Sequence, residues 1–233
     1  MNFLKRIFWR QPVAMMCINL KRATERRREI ERLWCRERGF RIEFFEAFDR
    51  RRIEAGEVVF PQNEKDALVK MGRPLLLGEV ACLTSHALAL QRALQKNYSE
   101  VIIMEDDVVP LVEGPEEFFS RIAQCRKTYP GVNAILCHRG WGNHAQYYPG
   151  EANGDKLLKL PFFGAALTWF DRPGMEFALE RLKRMACPAD WIWRGEFCAA
   201  KRLGALVPPL ADHLGQDTYI DDGRRGTKRE FRP

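Results

Sequence analysis

Hydrophobic and polar positions along the chain form blocks that predict strands and helices in turn. Short apolar runs predict buried strands, whereas apolar residues three or four positions apart predict amphipathic helices. The predicted strands lie at 13–20, 42–48, 101–104, 133–137, 163–170 and 205–210. The predicted helices lie at 24–39 with Thr24 as N-cap, near 66–70 in an otherwise irregular stretch, and at 78–97, 115–129, 174–185 and 190–202. This alternation favours a mainly parallel, twisted sheet flanked by helices, that is, an α/β fold.

The length allows one or two domains, and no linker divides the sequence, so we expect one globular domain. The chain has 233 residues, of which 46% are hydrophobic and 30% charged, which excludes a disordered or fibrous protein. No apolar run approaches the ~18 residues of a membrane span, and no secretory signal is evident, so we expect a cytoplasmic protein. The seven cysteines form no CxxC pair and show no zinc-site spacing, which predicts reduced thiols. We expect one domain at 13–220, between a basic, aromatic segment at 1–12 and a basic tail at 221–233.

The net charge of +7 allows several anionic partners. A basic chain can bind nucleic acid, anionic lipid or a phosphate-bearing small molecule. No nucleic-acid-binding motif accompanies the arginines, so no nucleic-acid partner is expected. On a helix, Leu4, Ile7 and Phe8 would share a stripe beside basic residues. This stripe predicts reversible contact with the anionic inner face of the cytoplasmic membrane, the alternatives being a helix packed on its own domain or a disordered end.

Three carboxylates follow the buried strand at 101–104 directly: Glu105, Asp106 and Asp107. The carboxyl edge of a parallel sheet is where ligands bind. Side chains at i and i+2 of extended backbone share a face, so Glu105 and Asp107 should point one way and Asp106 the other. Clustered carboxylates repel unless a cation compensates, and oxygen ligands suit Mg²⁺ or Mn²⁺. The alternative is a polar turn after a strand.

Four regions of the sequence carry a family resemblance. They are INLKRATERR (18–27), LGEVACLTSH (77–86), VIIMEDDV (101–108), and a C-terminal group comprising PFFGAALTWFDRPG, CPAD and PPL…QDTYI. Together they resemble glycosyltransferase family 25, the bacterial lipooligosaccharide-biosynthesis family, over about 13–220. The resemblance implies a GT-A-like fold, a UDP-sugar donor that is usually UDP-galactose, and inverting transfer to a glycan acceptor that is commonly lipid-linked.

The resemblance also implies roles for individual residues. A metal, Mn²⁺ or Mg²⁺, would be held by Asp107 and Glu105. The residues expected to bind the donor or support its site are Asn19, Arg22, Arg26, Glu79, Ser85, His86 and Asp106. The residues alone also allow other roles. The arginines could form a solvated helix face, Glu79 could be an acid that the helix dipole favours in the first turn, and His86 could be a buried histidine that makes a hydrogen bond.

An inverting transfer needs a base that takes the proton of the acceptor hydroxyl. Asp190, in the segment CPADWIWRGE, is the first candidate, and Trp191 and Trp193 beside it could offer aromatic faces to a sugar. A helix N-cap is the alternative role for Asp190. Asp212 with His213 is the second candidate base.

Two other classes of function use the same features. The acid cluster and basic surface could serve a metal-dependent phosphoryl-transfer enzyme or nuclease, and the charge alone could serve a non-catalytic basic membrane- or nucleic-acid-binding module. The family resemblance favours the transferase.

Overall fold

The computed structural model describes residues 12–57, 63–139, 156–158, 164–192, 200 and 202–213. The predicted N-terminal stripe, the basic tail and Trp193 lie outside these ranges, so the predictions made for them stay predictions. Among the described helices, none is both long enough and apolar enough to span a bilayer.

The secondary structure follows the predicted alternation. The described strands are β1 (Ala14–Asn19), β2 (Glu43–Glu46), β3 (Glu100–Glu105), β4 (Val108–Pro110), β5 (Ala134–Leu136), β6 (Lys156–Leu158), β7 (Leu167–Asp171), β8 (Leu203–Val207) and β9 (Ala211–His213). The described helices are α1 (Thr24–Ile30), which a π-helical segment at Glu31–Arg36 extends, α2 (Arg50–Glu54), α3 (Glu64–Met71), α4 (Leu77–Gln95), α5 (Pro115–Thr128), α6 (Arg172–Leu182) and α7 (Ala189–Ile192).

Two local predictions are corrected. Thr24 is the first residue of α1 and not its cap, because Ala23 occupies the cap position and makes no side-chain bond there. The stretch after Asp49, predicted to be irregular, begins with α2, which Asp49 caps by accepting a hydrogen bond from the backbone N–H of Arg51.

Seven of the described strands form one sheet in the order β2-β1-β3-β7-β5-β8-β6. The pairings β1–β2, β1–β3 and β5–β8 are parallel, whereas β3–β7, β5–β7 and β6–β8 are antiparallel. The α/β class with flanking helices is confirmed, but the sheet is mixed and not mainly parallel. The apolar pattern shows that a strand is buried, whereas its direction depends on how the connection runs, which the pattern does not record.

Both faces of the central strands are covered. Met16 and Ile18 of β1 join the core on the side of α4 and α6, whereas Met15 and Cys17 join the core on the side of α1 and α5. A strand buried on both faces reads as an unbroken apolar run, which is why β1 was predictable. Among the described elements, the helices cover the faces of the sheet, and a cleft opens at the carboxyl edge of β1 and β3.

The strands β1 and β3 mark the point where the chain reverses its progress across the sheet. From β1 the chain passes through α1 to β2 on one side, and it later enters β3 on the other side of β1. Such a reversal opens a crevice beyond the carboxyl ends of the two parallel strands. The register pairs Ile18 with Glu105, which brings Asn19 and Asp106 together at this edge.

A second, two-stranded sheet completes the same edge. Strand β4 pairs antiparallel with β9, and Val108 lies opposite His213. The indole N–H of Trp34 donates to the carbonyl of Val108 at 2.9 Å and ties β4 to the π-helical segment. The pairing therefore carries His213, distant in sequence, to the acid cluster.

Candidate active site

Asp106 is the buried anchor of the crevice. Its Oδ2 accepts a hydrogen bond from Nδ2 of Asn19 at 2.7 Å, and its Oδ1 accepts one from Nη1 of Arg26 at 2.9 Å. All three residues are buried. Because both carboxylate oxygens are engaged by residues of β1 and α1, Asp106 holds Asn19 and Arg26 in place at the edge of the sheet.

Glu105 points to the opposite side, toward α4. Its Oε1 accepts a hydrogen bond from Nε2 of His86 at 3.0 Å. Burial opposes ionisation of Glu105, but the hydrogen bond from His86 and the nearby rings of His213 and His138 outweigh it and lower its pKa. Glu105 therefore carries a stabilised negative charge in the crevice.

Ser85, the neighbour of His86 on α4, positions the loop after β2. Its hydroxyl donates to the carbonyl of Ala81 and accepts from the backbone N–H of Phe48 at 2.8 Å. Through this bond, Ser85 supports the wall of the crevice that carries Phe48 and Asp49.

Glu79 caps the start of α4 and pairs with an arginine. Its carboxylate accepts the backbone N–H of Leu76 at 2.9 Å and two bonds from the Arg73 guanidinium, at 2.6 and 2.8 Å. Glu79 thus makes the contacts expected of an acid in the first turn of a helix. Its ion pair with Arg73 was not predicted from the sequence.

Asp107 faces His213 across the edge of the sheet. Nδ1 of His213 lies 4.0 Å from Oδ1 of Asp107. Within the described ranges, that oxygen is buried and has no hydrogen-bond partner. Burial and the charge of Glu105 raise the pKa of Asp107 to about 6.

This environment fits a divalent cation. An ionised carboxylate that is buried, has an oxygen without a hydrogen bond and is repelled by a second acid is stabilised by a nearby positive charge. Carboxylate oxygens with an imidazole nitrogen suit Mn²⁺, and the oxygens alone suit Mg²⁺. Asp107, Glu105 and His213 are therefore residues that could hold such an ion. The sequence predicted His213 only as part of the second candidate base and not as a metal ligand.

His138 lies behind His213. Its ring stands edge-on to that of His213, with centroids 5.3 Å apart, and its Nδ1 lies 3.3 Å from the backbone nitrogen of Leu167. Burial, followed by the proximity of His213, lowers the pKa of His138 to about 4. A neutral, buried His138 thus packs against the ring of His213.

A first cleft opens on the side of β1 and α1. Its cationic lining comes from Arg22, Arg26 and Arg50, and Phe48 adds an aromatic ring. Arg22 is held by Asp49, whose Oδ2 lies 2.8 Å from its Nε. The remaining residues that line this cleft include Gly78, Ala81, Cys82, Ser85, His86, Glu105, Asp106 and Asp107. The cleft is therefore lined by both cations and acids.

A second cleft opens on the side of α7 and meets the first at Cys82 and Glu105, which line both. Its lining includes Arg73, Glu79, Asp190, Trp191 and His213. Glu79, predicted at the donor site, thus lies in this second cleft. The two clefts form one groove divided by the acid cluster.

Asp190 lies in the first turn of α7 and is half-buried. Burial and the charge of Glu105 raise its pKa, although backbone N–H groups of Asp190 and Trp191 hydrogen-bond its carboxylate and act in the opposite direction. Asp190 therefore accepts hydrogen bonds at the start of α7 and also lines the second cleft. A carboxylate with a raised pKa is a better proton acceptor than an ordinary aspartate.

Asp212 is engaged elsewhere. Its Oδ2 lies 3.2 Å from Nε of Arg139, and its Oδ1 accepts the backbone N–H of His213 at 2.8 Å. In the part of the chain that the structure describes, Asp212 lines neither cleft. The geometry therefore favours Asp190 over Asp212 as a base.

Comparison with known proteins extends these observations. The chain resembles, at a TM-score of 0.50 and 11% identity, the crystal structure of a glycosyltransferase involved in glycosylation of the major capsid of PBCV-1, with 88% of this chain and 94% of that chain covered. At this identity the likeness concerns the fold alone, and it confirms the predicted GT-A-like class.

Sequence relatives cover a shorter region. A glycosyltransferase 25 family member of Drosophila melanogaster is 36% identical over 97 residues, and one of Aedes aegypti is 33% identical over 96 residues. Each match covers 39% of this chain and 15% of the relative, so the chain spans a small part of the length of these curated relatives.

The family model described as glycosyltransferase family 25 (LPS biosynthesis protein) matches residues 14–148. That range is more than half of the chain, and it contains Asn19, the start of α4 and the three acids after β3. The chain therefore belongs to glycosyltransferase family 25.

Proposed function

We propose that this protein is a metal-dependent glycosyltransferase that moves a hexose, galactose from UDP-galactose by our expectation, onto a hydroxyl of a glycan with inversion at the anomeric carbon. The observation that carries the proposal is the position of Glu105, which lines both clefts. The acid cluster lies between the first cleft, which is lined by arginines, and the second cleft, which contains Asp190. This arrangement suits a reaction between an anionic donor in the first cleft and a neutral acceptor in the second.

The first cleft suits the nucleotide diphosphate of the donor. Guanidinium groups such as those of Arg22, Arg26 and Arg50 form charge-assisted hydrogen bonds with phosphate oxygens. The ring of Phe48 supplies apolar surface for a base or sugar.

Asp107, Glu105 and His213 would hold Mn²⁺ or Mg²⁺, which supplies positive charge against the leaving diphosphate when it is bound. The residues of the chain contribute to the same end. Asp106 orients the Arg26 guanidinium, and Asp49 orients that of Arg22, in the cleft where the diphosphate would lie.

Asp190 would act as the base in the second cleft. It accepts the proton of an acceptor hydroxyl while that oxygen bonds to the anomeric carbon and the bond from this carbon to the diphosphate breaks. Trp191, whose side chain is partly exposed beside Asp190, offers an aromatic face to the acceptor sugar. The description of the family as LPS biosynthesis proteins supports a cell-surface, lipid-linked glycan as acceptor.

The test is a transfer assay with a panel of UDP-sugars and glycan acceptors, with Mn²⁺ and with excess EDTA. We expect sugar incorporation and UDP release from one donor, lost in EDTA. Full turnover in EDTA would refute metal dependence. Cleavage of nucleic acid without any sugar donor would favour a metal-dependent nuclease instead.

A further inference from the structure

We propose that Cys82, His86 and Glu105 form a binding site for a thiophilic divalent cation such as Zn²⁺. The thiol sulfur, a ring nitrogen and a carboxylate oxygen of these residues all lie within 4.8 Å of one another. Asp107, assigned above to the hard cation, is not part of this group. The two sites share Glu105 alone.

Two rigid elements present these donors. Cys82 and His86 are four residues apart on α4 and therefore lie on one helical face, and Glu105 is the last residue of β3. In a tetrahedral site with metal–ligand distances of 2.0–2.3 Å, the ligand atoms are roughly 3.3–3.8 Å apart. The His86 and Glu105 donors are 3.0 Å apart and all three donors lie within 4.8 Å, so side-chain rotation can bring them to this spacing.

The donor set selects the class of ion. Thiolate and imidazole ligands favour Zn²⁺ and Co²⁺, whereas Mg²⁺ and Mn²⁺ prefer sites composed of oxygen. The site is not recognisable from the sequence, because Cys82 and His86 make an ordinary helical pair and Glu105 lies 19 residues after His86, in another element.

The position of the site makes it reachable and leaves a coordination place open. Cys82 and Glu105 line both clefts, so an ion can enter from solvent. Three protein ligands leave the fourth position of a tetrahedral ion to water or to a ligand in the groove.

The shared carboxylate links the two sites. A thiophilic ion that binds Glu105 beside His86, where the carboxylate already lies, keeps it from joining Asp107 in holding the hard cation. The two ions therefore compete. A further consequence rests on the proposed function: Zn²⁺ inhibits Mn²⁺-supported sugar transfer.

The direct test is titration of the full-length chain with Co²⁺, followed by optical spectroscopy. We expect a sulfur-to-cobalt charge-transfer band in the near ultraviolet that Zn²⁺ abolishes. Cys82→Ser should remove the band. Cys35→Ser is the matched control and should keep it, because Cys35 is another half-buried thiol but packs in the core on the opposite face of the sheet.

A second variant guards against a folding defect in Cys82→Ser. Glu105→Gln keeps the thiol and the size of the side chain, and it should weaken Co²⁺ binding at least about 10-fold. Circular dichroism checks that each variant is folded. Absence of the band in the wild type, its persistence in folded Cys82→Ser, or unchanged affinity in Glu105→Gln would each overturn the proposal.

An activity assay distinguishes failure of this metal site from failure of the proposed function. In Mn²⁺-supported transfer, Zn²⁺ should inhibit the wild type at concentrations at least about 10-fold lower than those that inhibit Cys82→Ser. A cobalt band that depends on Cys82 supports the metal site even if no sugar is transferred. Transfer activity without such a band supports the function and overturns the site.

Discussion

At the scale of single residues, neighbouring acids have different roles because their surroundings differ. Asp106 has both oxygens engaged by Asn19 and Arg26, Glu105 is hydrogen-bonded to His86, and Asp107 keeps a buried oxygen that no described group hydrogen-bonds. The environment of Asp107 is the one that destabilises an ionised carboxylate, because burial removes water and no hydrogen bond replaces it. The metal-free protein therefore carries a destabilising charge in its site.

Asp107→Asn should stabilise the metal-free protein at high pH. An unfolded aspartate has a pKa near 3.9, and in the folded state the pKa of Asp107 is about 6. Between these values the folded state holds more protons, so stability falls as pH rises and the full loss, at most about 3 kcal/mol, is present above pH 6. In EDTA at pH 8, the variant should have the higher melting temperature.

The difference should vanish below about pH 3, where Asp107 is protonated in both states. Excess Mn²⁺ should raise the melting temperature of the wild type and have less effect on the variant. A wild type that is the more stable protein in EDTA at pH 8 would contradict the electrostatic assignment of Asp107.

Asp190→Asn should lower kcat by about 100-fold or more, because the amide keeps the size of the side chain but cannot accept the proton. Donor affinity should change little, since Asp190 lines the second cleft and not the first. Steady-state kinetics with the identified donor make the measurement. Asp212→Asn is the control and should retain most of its turnover; the reverse pattern would move the role to Asp212.

At the scale of elements, the crevice depends on a buried ion pair that joins α1 to the turn after β3. Arg26 and Asp106 have side chains that are each 10% exposed, and the pair spans 80 residues of sequence. Hydrogen bonds from Asn19 and Arg26 satisfy both oxygens of Asp106. Loss of one partner leaves the other charge buried without its counterpart, and that outcome is strongly destabilising.

Asp106→Asn should therefore lower the free energy of unfolding by about 3–5 kcal/mol, as measured by urea denaturation. Glu31→Gln is the matched control, since it breaks the exposed pair between Arg27 and Glu31, 3.0 Å apart, on the same helical segment. That change should cost less than about 1 kcal/mol. Similar losses in both variants would show that the Arg26–Asp106 pair has no special structural role.

At the scale of the whole molecule, the groove joins parts of the chain that fold against different faces of the sheet. The first cleft uses the loops after β1 and β2 and the start of α4, whereas the second uses α4, α7 and β9. Occupation of the first cleft by a nucleotide with its cation should therefore stabilise the whole fold and not one element.

UDP should raise the melting temperature in the presence of Mn²⁺ and much less in EDTA, because a ligand that binds only the folded state stabilises it in proportion to its affinity. Thermal denaturation with a nucleotide series makes the measurement. Equal stabilisation by GDP or CMP would argue against a uridine site, and an equal effect of UDP in EDTA would argue against joint binding of nucleotide and metal.

The sequence by itself determined the α/β class, most of the elements and the acid cluster. These features are local. An apolar run such as that of β1 records burial on both faces, the spacing in α4 records a helix with a buried face, and three acids directly after a buried strand must emerge at its carboxyl end. Residues next to each other in the chain carry that information without reference to the rest of the molecule.

The tertiary structure alone decided which side chains meet. Strand direction within the mixed sheet, the pairing of β4 with β9 that brings His213 to Asp107, and the approach of Cys82 to Glu105 all depend on contacts between segments distant in sequence. The pKa shifts of Asp107 and Asp190 likewise arise from burial and from the charge of Glu105. Such effects act through space, so they exist only once the chain has packed.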